Sequence, residues 1–594
     1  MAKIITDNSL NKARIVIPET SIDEVELIMR RFEVPEIVAR LLCQRGIELE
    51  NIESFLNPTL KNDFPDPFLL KGMGDMAEDI AIAIEGGQKF AIFGDFDVDG
   101  ATSSAVIYRF LKALGIEAAI YIPDRLSEGY GPNIGALETL KNQGADILFM
   151  LDCGTTAFDI VKAGTALGLK IIILDHHEAE ETLPECWHVI NPKRKDDNSN
   201  LDMLAAVGVA FMASVSINAR LRDRGFYNGN VKQPDLKSLL DIVALGTICD
   251  MVPLIGVNRL FVRAGFSVPY EQLNLGIREL MSVAGINPPI STYDCGFVLG
   301  PRINAGSRIH EADLGAKLLT SDDIETCKNI SWTLNDCNEK RKVIQQVMEE
   351  QAIAMVEERG MADDPLILLD HEDWHSGLSG LVAGRIKEKY NRPTCVVTYA
   401  SGLSGVKEGR GSGRSIAGIH IAQSFIDARA AGIIEKGGGH AMAGGFTVMP
   451  DKLDDLREFL KPHIARQMEN TDTNVETVID GVLTCGGVSV DLVEMLQNQV
   501  GPFGQEFPEP VFLLENIRIH RADIRGSSHI SVMISDWEGG SRIKAMAFRA
   551  VDTPLGDALL NAGTSALNIV GRLTINEWQG RKSAEMHISD ACII

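Results

Sequence analysis

The segment Gly94-Asp95-Phe96-Asp97-Val98-Asp99-Gly100 sets three carboxylates at alternate positions ahead of a glycine. Such a loop offers hard oxygen donors to a divalent cation, magnesium or manganese. An EF-hand calcium loop opens the same way, but its twelfth position, which needs a bidentate glutamate, falls on Val106, and the preceding KFAIF reads as strand rather than helix. Asp175-His176-His177 follows the apolar run KIIIL, and imidazole moves the preference toward manganese or another transition metal. Asp152 in LDCGTT and Asp250 in CDMVPL add carboxylates at analogous positions. This set suffices for two divalent cations sharing a bridging carboxylate, an arrangement that clamps the attacking and leaving oxygens of a phosphoryl displacement at about 3.5–4 Å metal separation. A solvated acidic loop would explain the first motif alone but not all of them. No G-x-x-x-x-G-K-[ST] occurs, so a P-loop has no support.

Between about Gln88 and Leu254, apolar runs alternate with amphipathic stretches, the pattern of a parallel sheet with crossover helices. Three of the runs are short and continuous, as strands buried on both faces should be, and end at Asp95, Asp152 and Asp175. DIVALGTICD, ending at Asp250, fits a strand or a helix end equally. Ligands of open α/β sheets bind beyond the carboxyl ends of the strands, so these acids are expected to converge on one pocket.

Residues 331–360 are charged, free of Gly and Pro until the last turn, and carry Val343, Val347, Met355 and Val356 at helical spacing, which predicts a long connecting helix. A second strand, helix and strand unit then runs to about His463. Its glycine-rich stretches, GSGRS at 411–415 and GGGHAMAGG at 437–445, are flexible loops or anion receptors. The planar donors of Arg414 suit a phosphate, with His440 and, more weakly, His375 as further contacts. From Val475 onward, short alternating segments between turn residues predict a small β-barrel or sandwich.

A length of 594 residues is a prior for about three or four domains. The apolar fraction of 45% allows a large core and excludes a disordered or collagen-like chain. No apolar run is long enough to span a membrane, the start lacks a signal-peptide core, and ten scattered Cys contain no CxxC. A cytoplasmic protein with reduced thiols is expected. The net charge, 57 − 82 = −25, argues against a sequence-independent wrapper of nucleic acid.

GDFDVDGATS, LDCGTT, LDHH and CDMVPL resemble the four motifs of the DHH phosphoesterase superfamily. YIPDRLSEGYGPN, GPRINAGSR, WHSGLSGLVAGRI, GSGRSIAGIH, GGGHAMAGGF and GPFGQEFPEPVF extend the likeness over nearly the whole chain to that superfamily's single-stranded-DNA exonucleases. The resemblance implies a multidomain α/β protein: an N-terminal helical segment (1–75), a parallel-sheet DHH domain (76–330), the connecting helix (331–360), a DHH-associated phosphate-binding domain (361–468) and an OB-like barrel (469–594). It also implies metal binding by Asp97, Asp99, Asp152, His176 and Asp250, with Asp95 and Asp175 lining the pocket and His177 facing the scissile phosphate or the water. Substrate contacts fall on Arg125, Arg302, Asn304, Arg308, His375, Ser412, Arg414, Gly438, Gly439 and His440. Where the family commonly reads AAGR, this chain has Ala305-Gly306-Ser307-Arg308.

The implied activity is 5′ to 3′ degradation of single-stranded DNA to mononucleotides with two manganese or magnesium ions, in repair and recombination. A monomer is expected, with single-strand-binding protein as a partner and no membrane contact. The barrel would track the strand through Arg518, Arg521, Arg525, Lys544, Arg572, Arg581, Lys582 and Trp578, the last equally a core residue. The competing readings are a phosphoesterase on short oligonucleotides, which has no need of a barrel, and a non-catalytic DNA-binding replisome scaffold, which has no need of intact ligands.

Overall fold

The computed structural model describes residues 2–7, 9–125, 128–129, 131–229, 231–401, 407–469, 476–563 and 565–593; Leu126, Ser127 and Tyr130 of YIPDRLSEGYGPN lie outside them. The chain forms two compact units: Met1–Pro65, Met251–Ala264 and Asn474–Ile594 in the smaller, Asp66–Asp250 and Gly265–Thr473 in the larger. At the start, β1 (Ala2–Thr6) and β2 (Arg14–Pro18) pair antiparallel before a run of short helices.

In the larger unit β3 (Phe90–Gly94), β4 (Ala118–Tyr121), β5 (Ile147–Leu151), β6 (Lys170–Leu174) and β7 (His188–Ile190) form a parallel sheet in the order β4-β3-β5-β6-β7. Phe93, Met150 and Ile173 pack on one face with Leu137, Leu140 and Val161. Their neighbours Ile92, Phe149 and Ile172 are equally buried on the other, which is why these strands read as continuous apolar runs. The order reverses between β3 and β5, placing the crevice of a doubly wound sheet beyond Gly94 and Leu151. The helices that matter for the site are α1 (Val98–Ala113), α2 (Ala206–Asp223), α3 (Leu240–Cys249) and α4 (Gly300–Ile309).

The connecting helix α5 (Ile324–Glu358) starts seven residues before the expected 331, where the Asp323 carboxylate accepts the Thr326 amide at 2.8 Å. That N-cap, inside SDDIET, sets the boundary. Beyond it β8 (Ile367–His371), β9 (Thr394–Ser401), β10 (Lys407–Arg414), β11 (Lys436–Gly439) and β12 (Ala443–Val448) form a mixed sheet in the order β11-β12-β10-β9-β8, with α6 (Ser379–Tyr390) and α7 (Ile421–Ala430) against it.

The glycine-rich stretches, expected as loops, are strands. Gly409, Gly411 and Gly413 alternate along β10 on its buried face. A Cβ at Gly411 would collide with the Phe446 ring, and one at Gly413 would lie 2.7 Å from the Phe425 ring. The glycines make room for those two rings, while Arg410, Ser412 and Arg414 occupy the other face.

In the smaller unit β13 (Glu476–Val478) pairs parallel with β2, and β14 (Gly481–Leu483) with β15 (Phe512–Arg525). β15, β16 (His529–Asp536), β17 (Arg542–Ala547), β19 (Arg581–Ile593) and β18 (Leu567–Trp578) pair in sequence and β18 returns to β15, closing a five-stranded barrel. Val38, Leu41, Leu42 and Ile52 share its hydrophobic core. The N-terminal segment is therefore not a purely helical run over 1–75: it opens with strands, and its first 65 residues belong to the barrel's unit. The partner strand β13 is remote in sequence, so local periodicity carries no sign of the pairing.

Arg259 ties the inserted segment into this unit. It is 3% exposed, donates to Phe55 O at 3.0 Å and Gln499 O at 3.1 Å as well as Gly501 O, and has no carboxylate partner among the described residues. Burial lowers its pKa to about 9. Arg259→Ala removes the side-chain donor of Phe55 O and leaves Gln499 O and Gly501 O to Arg263 alone, and a loss of about 1–3 kcal/mol is expected, read as an earlier urea midpoint in the unfolding of the barrel's unit.

Candidate metal centre and anion receptor

The ends of β3, β5 and β6 each deliver a carboxylate to the crevice. Asp95 follows β3, and its amide donates to Leu151 O at 3.2 Å. Asp97 caps α1, accepting the Asp99 and Gly100 amides at 2.9 and 3.1 Å. Asp99, in the first turn of α1, is 1% exposed and accepts the Ala206 and Val207 amides at 2.7 and 2.9 Å, so the positive end of α2 supports a buried carboxylate. Gly100 is required by packing: its Cβ would stand 2.6 Å from the Asp95 carbonyl carbon. Asp152 follows β5 with φ 60°, a left-handed conformation that is strained for a non-glycine residue. Asp250 is the C-cap of α3, which decides between strand and helix for DIVALGTICD.

His176 sits among these acids. Its Nε2 lies 3.4 Å from Asp152 Oδ1, 3.4 Å from Asp250 Oδ2 and 3.7 Å from Asp99 Oδ2. Three groups have ligand atoms within 4.8 Å of one another: Asp152, His176 and His177; Asp99, His176 and Asp250; Asp95, Asp97 and Asp152. Asp152 belongs to two of them.

The electrostatics call for a cation. Burial and the Asp97 charge push Asp95 up to about 8 and Asp99 up to about 7. Burial, then Asp99 and Asp97, raises Asp152 and Asp250 well above the carboxylate range. Burial and the neighbouring His177 push His176 down to about 3, leaving a neutral imidazole. Asp95 Oδ1, Asp152 Oδ1 and Asp250 Oδ2 are buried without hydrogen-bond partners. Oxygen donors, a neutral imidazole and orphaned acceptors are what a divalent ion satisfies, so these residues fit one.

Asp175 differs from the rest. Its carboxylate accepts the amides of Thr155 at 3.1 Å, His176 at 2.8 Å and His177 at 3.2 Å, and its Oδ1 meets His177 Nδ1 at 2.7 Å. Burial alone would raise it, but the His177 hydrogen bond and charge and the Thr155 bond hold it below the carboxylate range. Burial likewise opposes protonation of His177, yet its bond to Asp175 raises the imidazole pKa. Asp175 thus orients His177 rather than offering a vacant oxygen.

The cationic side of the same unit faces these acids. Arg125 lies over the Phe96 ring at 4.8 Å, near enough for Asp95 and Asp97 to counter the lowering of its pKa by burial. Arg308 on α4 donates to Gly377 O at 2.6 Å. Burial and the charges of Arg125, Arg341 and Arg414 lower it to about 9. Asn304, four residues before Arg308, shares its helix face. Arg302 is tied at 3.0 Å to Asn335 and at 2.8 Å to Val298 O.

Ser412 Oγ is 2.9 Å from Ser379 Oγ, and Arg414 donates to Gly413 O at 2.8 Å. Because β10 is paired on both sides, its backbone amides are committed to the sheet, and an anion there meets side chains. This corrects the expectation of a backbone-lined glycine loop. Gly438 and Gly439 lie on edge strand β11, and Gly439 at φ 135° leaves no room for a Cβ against Ala443 and Gly444. His440 is exposed; its amide donates to Ala443 O at 2.7 Å, and its charge reaches His176. His375 is drawn into structure, with Nδ1 accepting the Gly377 amide at 3.2 Å.

Three family models match in order: the DHH family N-terminal domain at 89–247, the DHHA1 domain at 363–465 and the RecJ OB domain at 479–590. The single-stranded-DNA-specific exonuclease RecJ of Salmonella typhimurium is 31% identical over 94% of this chain and 96% of its own length. That of Escherichia coli is 32% identical over the same shares. This chain belongs to the RecJ family. RecJ from Thermus thermophilus in complex with Mn2+ has the same fold, with TM-score 0.79 and 24% identity over 97% of this chain and 78% of that one.

Beside the residues expected from sequence, this RecJ-family site gathers several others. Asn191 follows β7, donating to Thr155 Oγ1 at 3.0 Å and His177 O at 2.8 Å, and so steadies the histidine turn. It stands at a strand end, as the acids do, and the strand-end rule could have found it. Arg341 lies on α5, where helical periodicity alone gave no sign of it. In the barrel's unit Trp578 is 72% exposed, not core. Several of the basic residues there are paired with acids, Arg521 with Asp523 at 2.7 Å and Lys582 with Glu494 at 2.7 Å among them.

Gly100→Ala is expected to cost about 1–3 kcal/mol through overpacking and to shift the Asp95 and Asp97 backbone. Calorimetric titration with manganese should show weakened binding; wild-type affinity in that variant would contradict this account of the glycine.

Proposed function

We propose that the chain is a metal-dependent exonuclease that degrades single-stranded DNA from its 5′ end to mononucleotides, serving repair and recombination. The observation that carries this reading is the orphaned cluster of Asp95, Asp152 and Asp250 oxygens opposite guanidiniums in one unit. In this reading Asp97, Asp99, Asp152, His176 and Asp250 would hold two divalent cations. Bound there, the cations supply Lewis acidity and positive charge at the transferring phosphoryl group. Asp175 accepts the Nδ1 proton of His177 and favours the imidazolium, the form in which Nε2 also carries a proton that it would offer to a phosphate oxygen. Arg308, Arg414 and Ser412 seat the terminal phosphate, and Arg125 bridges the acidic and basic sides.

A phosphate held between buried side chains admits one flexible strand more readily than a stiff duplex. The barrel, in the smaller unit, offers a single-strand-binding surface of its own. The protein acts as a cytoplasmic monomer that meets its substrate coated by single-strand-binding protein. No helix of the described residues is long and apolar enough to cross a membrane.

Incubation with 5′- and 3′-labelled single and double strands should release mononucleotides from the 5′ end of single strands only. A chelator should abolish release, and manganese or magnesium should restore it. Asp152→Ala puts several kcal/mol of transition-state stabilisation at stake, so kcat should fall on the order of a thousandfold. Near-normal manganese-dependent release in that variant would sink the assignment.

A further inference from the structure

The loop that carries Arg125 is tied down by one exposed carboxylate, that of Glu128. It accepts the Tyr121 hydroxyl at 2.9 Å, the Asn133 side-chain amide at 2.8 Å and the Asp124 backbone amide at 2.7 Å. The Glu128 and Gly129 amides return to Asp124 O at 2.8 and 3.2 Å. Asp124 is therefore held by both its amide and its carbonyl, and that carbonyl lies in the peptide plane from which Arg125 springs. The other anchors belong to regular elements. Tyr121 ends β4 and stacks on Phe93 with centroids 5.9 Å apart. Burial and the Glu128 bond push its pKa up to about 12, so it keeps the proton it donates. Asn133 caps the helix Ile134–Asn142, its Oδ1 accepting the Ala136 amide at 2.9 Å while its Nδ2 serves Glu128. An aspartate there would cap equally well but has no proton to donate.

We propose that Glu128 is a positioning residue for the exonuclease reaction: its carboxylate fixes the backbone beneath Arg125 and so sets that guanidinium between the acids and the anion-facing arginines. This rests on the exonuclease reading and adds to it a residue outside the pocket. Arg125 needs such a mount. It lies over the Phe96 ring, Asp95 and Asp97 attract it, and its charge opposes those of Arg308 and Arg414. A long side chain pulled from one side and pushed from the other is not fixed by charge alone, since Coulomb forces carry no direction at the atom. The backbone beneath it supplies the direction. Tyr121, Asp124 and Asn133 hold no place among the metal-ligating groups, so the clamp reaches the chemistry through Arg125. Its exposure means that its removal opens no cavity in the core.

The test measures kcat/KM of the full chain on 5′-phosphorylated oligo(dT) with manganese, together with manganese affinity by calorimetry and the melting temperature. Glu128→Ala should lower kcat/KM on the order of tenfold to a hundredfold, the cost of a misplaced substrate-positioning group. Manganese affinity and melting temperature should stay at the wild-type values. In an Arg125→Ala background the same change should cost nothing further, because coupled residues are not additive. Asn133→Asp keeps the helix cap but sets two carboxylates face to face, and should reproduce the loss. Adding Glu128→Gln to Asn133→Asp returns a donor to the contact with its polarity reversed, and should restore most of the activity. Wild-type kcat/KM in Glu128→Ala, losses that add to those of Arg125→Ala, or no recovery in the swapped pair would overturn the proposal. So would a parallel loss of manganese affinity, which would make the clamp a support of the metal centre instead of Arg125. A wild-type chain that releases nothing from the strand would instead overturn the exonuclease reading itself.

Discussion

Mutual repulsion among carboxylates in one dry pocket is the constraint on which the rest of the larger unit depends. Asp95, Asp99, Asp152 and Asp250 each resist ionisation first because water is excluded and then because other carboxylates, Asp97 in every case, are near. Two devices moderate the conflict without a metal. The amide end of α2 meets Asp99, and the α1 cap absorbs part of Asp97. The remainder is left for a cation, so ion binding and local stability are one quantity here.

Asp175 shows how a shared motif divides its labour. Adjacent to His176 and His177, it takes four hydrogen bonds and becomes a rigid strut, while His176 turns its Nε2 toward Asp99, Asp152 and Asp250. A ligand set chosen by residue type alone would count it with Asp152. The hydrogen-bond inventory separates them: Asp152 Oδ1 has no partner and Asp175 has a full complement.

The sheet of acids was legible because burial on both faces forces continuous apolar runs, and the residue after each run must emerge at the crevice. That logic located Asp95, Asp152 and Asp175 and left Asp250 open, since an apolar helix such as α3 presents the same composition. It did not extend to β10, where glycine in a sequence suggests a loop. Only the Phe446 and Phe425 rings explain why side chains are absent there. The pairing of β2 with β13 depends on a contact between distant segments, which a local pattern does not encode.

The alternation along β10 has a consequence for folding fidelity. Shifting that strand by one residue would turn Arg410, Ser412 and Arg414 toward the two phenyl rings, where no space exists for them, and turn glycines toward the cleft. The same steric rule that shapes the core therefore proofreads the placement of the side chains on the opposite face: a chain that has closed this sheet has already set its arginines in register.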